Sequence, residues 1–354
     1  MPPQKIEAFG NLGPWSEPSW YNSLASPYYN DSHKKLRNAL RTYIDTNIKP
    51  YMLEWEEAGE APTSERLKWA QTGFCFADIP EPYRPGNSDV ANIETTATKS
   101  SDGSYYTVNG YKKWITGMPW ATHMTTAVRT GGPGASGLSV LVIATNSPGL
   151  AHRRIPNSGQ KAGGASFVEL DNVRVPTANL IGAENAGFPI VMRNFNKERF
   201  IMAVGCNRKA RTCLSESFAY AHTRRTFGKP LIANQIIASK LATIARYVES
   251  HWAWLEQLAY HIQHAELGWQ DASIAGQIAL AKVHGGRILE LANREAQQVF
   301  GGAGYQKGGG PGAVVEQISR DLRMQVVGGG SEEIIADLAV RQEGKMARGR
   351  GWKL

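Results

Sequence analysis

YAHTRRTFGKPL, residues 220–231, closes one long segment of helical periodicity and opens another, and QVFGGAGY, residues 298–305, does the same further along the chain. Between these helices the two joints hold groups suited to a polyanion. Arg224 keeps its charge and can bind phosphate oxygens two at a time, while Gly301 and Gly302 would let backbone approach a ligand closely. Taken singly, Arg224 is a surface arginine and the glycine pair a helix stop. Apolar residues recur with period 3.6 over about 187–224, 235–266, 270–300 and 331–346, broken by glycine-rich joints at 301–312 and 328–330. This pattern predicts a C-terminal four-helix bundle over residues 186–354.

Upstream, residues 74–185 change texture to short β-branched and aromatic runs such as SYYTVNGYKKWIT, LSVLVIAT and ASFVELDNVRVP, which predict a central β-barrel or sandwich domain. Asp102-Gly103 and Asn109-Gly110 read as hairpin turns. Residues 1–73 form a short N-terminal helical region. Its first 30 residues are rich in Pro, Trp, Tyr and Ser and are expected to run over the surface. A helix is expected from Ser32 to Glu57, capped by Asp31 or Ser32 and interrupted at Pro50, with a second over Thr63 to Gln71. The fold class is α+β multidomain: N-terminal helices, a central β domain and a C-terminal four-helix bundle.

With 42% hydrophobic and 20% charged residues among 354, the chain can bury a large core and is not of disordered composition. A net charge of +8 is spread along the sequence, clustering at Arg224-Arg225 and from Lys345 to Lys353. It reads first as a solvated basic surface, with a nucleic-acid backbone, a membrane surface or a polyanion such as a dinucleotide or coenzyme A as the alternatives. Cys75, Cys206 and Cys213 have neither metal-ligand nor disulfide spacing. No run of about 18 apolar residues predicts a membrane span, and the N-terminus lacks the apolar stretch of a signal peptide. An intracellular location is expected, cytoplasmic or, by the weak likeness of Trp352-Lys353-Leu354 to Ser-Lys-Leu, peroxisomal.

Over residues 74–346 the sequence resembles the acyl-CoA dehydrogenase family, and most of all a fungal-type branch of it. The resemblance rests on motifs in the family's order. Trp114-Ile115-Thr116 matches a segment that lies against the flavin ring and offers it hydrogen-bond donors. Arg224 and Phe227 match Arg-x-x-Phe-Gly beside the FAD pyrophosphate, and Gln235 matches an adenine-side glutamine. Gln298 with Gly301 and Gly302 matches Gln-x-x-Gly-Gly, which reaches the FAD of a neighbouring subunit. Ser331 and Glu333 fall where side chains contact the ribityl and phosphate region. Asn196 and Arg199 fall near the acyl thioester. The resemblance therefore implies FAD as cofactor, a homodimer or homotetramer with shared sites, and α,β-dehydrogenation of an acyl-CoA or carrier-bound acyl thioester, with an electron-accepting partner whose identity is open. A place in specialised metabolism, with no membrane or nucleic-acid partner, completes the expectation.

Three departures accompany it. The N-terminal helical domain is shorter by about 60 residues than family proportions suggest. Pro80 replaces a flavin-facing Thr or Ser, so a hydroxyl and an N–H are lost; Ser88 supplies a hydroxyl nearby and joins Asn196 and Arg199 as a candidate substrate contact. Gly329 stands where many relatives carry the carboxylate that removes the α-proton. Other relatives supply that base from the helix after Gln235, which makes Glu266 the first candidate here and Glu256 the second. The alternatives are a degenerate, non-catalytic member of the fold and a flavin enzyme of the same fold with different chemistry.

Overall fold

A computed structural model describes residues 9–74 and 90–353. Two compact units share them: one gathers the described residues of Met1–Leu53 and Glu198–Leu354, the other those of Glu54–Lys197.

In the first unit a short α1 (Ser19–Asn22) precedes α2 (Asp31–Tyr43), which runs through a π-helical turn at Ile44–Ile48 and breaks at Pro50; α3 (Met52–Ala58) follows, and its residues from Glu54 on belong to the second unit. The cap of α2 is Asn30, one residue before the expected pair. Its carboxamide accepts from Ser32 N and it forms a reciprocal box with His33. Residues 9–24 are fastened by charge. Glu17, its side chain 1% exposed, takes Arg41 and Arg208 each at 2.8 Å, and the Ser16 and Ser215 hydroxyls meet at 2.7 Å.

The second unit holds α4 (Thr63–Gln71) and seven strands: β1 (Thr96–Lys99), β2 (Tyr105–Ile115), β3 (His123–Arg129), β4 (Leu138–Ala144), β5 (Leu150–Arg154), β6 (Ser166–Pro176) and β7 (Leu180–Ile181). They form one sheet in the order β5-β6-β2-β1-β3-β4-β7, antiparallel except where β1 lies parallel to β3. Inward residues alternate along the long strands, so Tyr106, Val108, Val168, Leu170, Val173 and Val175 make one dry face. The Asp102-Gly103 turn joins β1 to β2. The Asp102 carboxylate accepts from Ser100 Oγ and Ser104 N, contacts that hold its pKa down to about 2. Asn109-Gly110 is not a turn. It lies inside β2 at a register shift, where Gly110 (φ 138°) passes so close to Thr95 that a Cβ would stand 2.8 Å from its Cα.

α5 (Gly187–Thr223) leads from this unit into the bundle. There a two-residue hairpin, β8 (Arg225–Thr226) and β9 (Lys229–Pro230), precedes α6 (Gln235–His264), α7 (Ala275–Phe300), α8 (Ala313–Val327) and α9 (Glu332–Gly349). α8 fills the stretch between the two glycine joints, for which the periodicity had given no helix. The core is continuous from Cys206, Ala210 and Leu214 on α5 to Leu241 and Val248 on α6, Leu289 and Ala296 on α7, and Val315 on α8.

One polar network crosses it. His251, 1% exposed, places Nε2 3.0 Å from the Ala281 carbonyl and Nδ1 3.2 Å from Asn207 Nδ2, an arrangement that suits the neutral ring. Burial, with His284 adding to it, pushes its pKa down to about 4. The unfolded chain therefore takes up this proton below the ordinary value near 6.5 while the folded chain refuses it until about 4. Stability is complete above 6.5 and declines by about 3 kcal/mol as pH falls through that window. Urea midpoints at pH 7 and pH 4.5 should show the loss, and His251→Asn should flatten it; an equal slope in both proteins would refute the assignment.

Candidate functional site

The strand that carries Trp114, Ile115 and Thr116 is turned outward by its own backbone. Between Lys112 and Ile115 the register of β2 against β6 shifts, and Trp114 takes φ 66°, a left-handed conformation that costs a bulky residue about 1–2 kcal/mol. Its indole is consequently half exposed, with the Lys113 ammonium 4.9 Å from the ring, and Thr116 is exposed beside it. Two anchors hold the distortion. Lys112 donates to the Ala127 carbonyl at 2.8 Å, and burial pushes its pKa down to about 8. After the motif, Gly117 N donates to Gly163 O at 2.9 Å, in a turn whose Lys161 and Ala162 amides donate to the Glu56 carboxylate of α3.

Phe227 repeats the same anomaly in the other unit. The β8–β9 turn needs positive φ at both central residues, a task usually given to Asn-Gly, and here Phe227 (φ 50°) and Gly228 (φ 77°) perform it. The phenyl ring is fully exposed at 104%. Arg224, just before the hairpin, is exposed and its side chain makes no ion pair among the described residues. Gln235 opens α6, capped by Asn234, and lines a groove of about 400 Å³ between α6 and α7 with Ile236, Ser239, Lys240 and Glu295. Lys240 and Arg294 both bind Glu295 there. One turn beyond Glu295, Gln298 is exposed, and at the end of α7 Gly301 (φ 58°) and Gly302 face open space, with nothing within 4 Å of a would-be Cβ.

A second group gathers around the joint between α8 and α9. Arg199 of α5 is 9% exposed and donates from Nε to the Gly329 carbonyl at 3.2 Å. Burial pulls its pKa down to about 10, with the neighbouring Glu198 acting in the opposite direction. One turn further, Met202 packs on the joint so tightly that a Cβ at Gly329 would lie 3.0 Å from its sulfur. Glu198 is half-buried on the same face of α5, four residues before Met202. Lys282 of α7 reaches the joint from the other side, and Ser331 and half-buried Glu332 follow it, with Glu333 exposed. Asn196 lies half-buried one turn before Arg199.

Of the two carboxylates singled out from the sequence, Glu266 is exposed in the turn after α6. Glu256 is partly buried and held by Trp252 Nε1 at 2.7 Å and by the Tyr29 hydroxyl, and burial raises its pKa. Ser88 and Pro80 lie outside the described residues. Sequence reasoning passed over Glu198 as a charge suited to a helix start. It also passed over Lys282, whose only signal is a lysine amid Ile, Ala and Gly on an otherwise apolar helix face.

Comparison with known proteins gives matches along almost the whole chain. Residues 30–98, 81–173 and 185–343 match the models for the N-terminal, middle and C-terminal domains of acyl-CoA dehydrogenase. The acyl-CoA dehydrogenase apdG of Emericella nidulans is 35% identical over a 427-residue alignment that covers 96% of this chain and 97% of that protein. The acyl-CoA dehydrogenase AFT10-1 of Alternaria alternata is 34% identical, covering 95% and 97%. Among solved structures, an acyl-CoA dehydrogenase from Mycobacterium smegmatis superposes with a TM-score of 0.82 at 26% identity, over 90% of this chain and 99% of that one. No helix among the described residues is long and apolar enough to cross a membrane.

Proposed function

The chain belongs to the acyl-CoA dehydrogenase family, and from that premise we propose that it is an FAD-dependent oxidoreductase that removes hydrogen from the α and β carbons of an acyl thioester, borne by coenzyme A or a carrier protein, in specialised metabolism. The observation that carries this reading is the pair Trp114 and Phe227. Two large aromatics stand in strained left-handed backbone, one half and one fully exposed, at the two motif positions assigned to the flavin ring and the pyrophosphate. Trp15 is also left-handed (φ 55°), so it is the coincidence of strain with the motif positions that counts, since such strain clusters at ligand sites.

The residues fit the cofactor. Arg224 is a cation with no partner among the described residues, Gly301 and Gly302 offer backbone without side-chain obstruction, and Gln235 stands on a groove wall. Trp114, Ile115 and Thr116 would bear on the ring, Arg224 with Phe227 on the pyrophosphate, Gln235 and Gln298 on the adenosine half, and Ser331 and Glu333 on the ribityl chain. Bound FAD supplies the hydride acceptor. Because Phe227 and Tyr305 are exposed at 104% and 88%, we assign this surface to a second copy of the chain, in a homodimer or homotetramer. The division at residues 73/74 and 185/186 belongs to the same proposal.

Removing the α-proton needs a carboxylate, and Glu198 is favoured over Glu266 and Glu256. Position 329, where relatives carry the base, is touched by Arg199 and Met202, which bracket the same turn of α5 as Glu198. A carboxylate borne there can serve the space that one borne by residue 329 would serve. Glu266 is solvated, and Glu256 is engaged by Trp252 and Tyr29. Asn196 and Arg199 orient the thioester, and Arg199 keeps positive charge beside the base.

Purified protein should be yellow with about one FAD per chain, and an acyl-CoA added without oxygen should bleach it; colourless protein that takes up no FAD would refute the reading. Phe227→Gly offers a sharper check. It should stabilise the hairpin by about 1 kcal/mol, by relieving left-handed strain, while weakening FAD binding several-fold. Melting and FAD titration of this variant should therefore move in opposite directions, and a parallel change in both would count against a flavin role for the ring.

A further inference from the structure

Lys282 is 1% exposed, and its ammonium is committed to backbone. Nζ donates to the carbonyls of Val326, at 2.5 Å, and Gly330, at 2.7 Å. The carbonyl between them in the joint, that of Gly329, takes Arg199 Nε. Two cations from different helices thus hold three carbonyls of a five-residue stretch. The Val326 carbonyl is in the last turn of α8, where carbonyls lack intrahelical partners and positive charge is favoured.

Sterics constrain the same residues. Gly329 and Gly330 have φ of 66° and 110°, and a Cβ would stand 2.5 Å from Met202 Cε at Gly328 and 2.5 Å from Ile335 Cδ1 at Gly330. The joint ends at Ser331, which heads α9 without capping it by its side chain, so its hydroxyl is left for another acceptor. Glu332 is turned aside by Arg287.

We propose that Lys282 is a positioning residue for cofactor binding: by fixing the Val326 and Gly330 carbonyls it sets the joint before FAD arrives, so that Ser331 and Glu333 meet the cofactor without being ordered by it. A flexible joint of three glycines would lose more conformational freedom on binding than any other sequence, and a joint fixed in advance spares the ligand that ordering. The inference rests on the FAD reading above and concerns only where the binding free energy is kept.

FAD titration of apo-protein, followed by quenching of flavin fluorescence, tests it in the whole chain. Lys282→Met should raise the dissociation constant about ten-fold or more while far-UV circular dichroism stays native, and Lys282→Arg, which keeps charge and donors, should recover part of the loss. A folded Lys282→Met protein with unchanged affinity would overturn the proposal and leave the FAD reading intact. Failure of the wild type itself to bind FAD would end both. Should Lys282→Met fail to fold, hydrogen exchange of the wild type decides. Amides 328–333 protected in apo-protein and little changed by FAD support the pin. Fast exchange that slows only when FAD is added overturns it.

Discussion

Glu198→Gln is expected to slow the bleaching of bound flavin by an acyl-CoA about a thousandfold, while Glu266→Gln leaves it within about twofold, in line with what a positioned general base contributes. The substitution keeps size and removes only the ability to accept a proton, so FAD content and substrate affinity should hold. The prediction is sharp because Arg199 lies next in sequence. Its guanidinium is buried and stays bound to Gly329 O, so the substitution leaves that anchor in place, and substrate binding is measured separately from the rate. Anaerobic stopped-flow absorbance gives the rate. Normal bleaching by Glu198→Gln would remove Glu198 from the mechanism, and a collapse in Glu256→Gln or Glu266→Gln alone would move the base to α6 or the turn after it.

Glu17→Ala should cost about 3 kcal/mol, the largest effect on stability expected from a single exposed-segment residue here. The carboxylate is buried to 1% exposure and serves Arg41, Arg208 and the backbone amide of Asn11. Arg208 is 44% exposed and Arg41 retains Asp45, so the stranded cations are partly rehydrated; the estimate therefore lies at the low end for a broken buried pair. Arg211 adds a second tie. It is 1% exposed and holds the carbonyls of Trp15 and Glu17, each at 3.0 Å, and the Glu249 carboxylate. Loss of Glu17 should free residues 9–24 before the bundle melts. Hydrogen exchange should show this as fast exchange confined to that segment together with a lower melting temperature, and an unchanged melt would contradict the account.

Much of the architecture was legible because periodicity and glycine placement agree. α5 and α6 begin and end close to where the apolar stripe does, and the Asp102-Gly103 turn folds as its residues demand. Tertiary contacts decided the rest. Asn109-Gly110 has the chemistry of a turn, yet Thr95 and the Asn172 amide occupy its two sides and keep it in the strand as a bulge. α8 lies between glycine runs and escaped notice since its apolar face is completed by Leu289 and Ala296 of α7 rather than by its own length. Glu17 finds partners 24 and 191 residues away, which no local pattern announces. The motif residues Trp114, Arg224, Phe227 and Gly301 were named from resemblance, whereas the strain that makes two of them informative is visible only in the backbone angles.

Met202 carries a consequence for how this site could change. Its thioether fills the space that a side chain at position 329 would need, and Gly329 sits in left-handed backbone besides. A glutamate returned to 329 alone would be strained and obstructed, and a smaller residue at 202 alone would open a void beside Arg199. Making room at 202 would relieve the contact with Met202 but not the left-handed backbone, so two separate constraints keep glycine at 329. A carboxylate at 329 would therefore need the joint to take a different course as well as room beside Met202, which a single substitution at 329 does not supply.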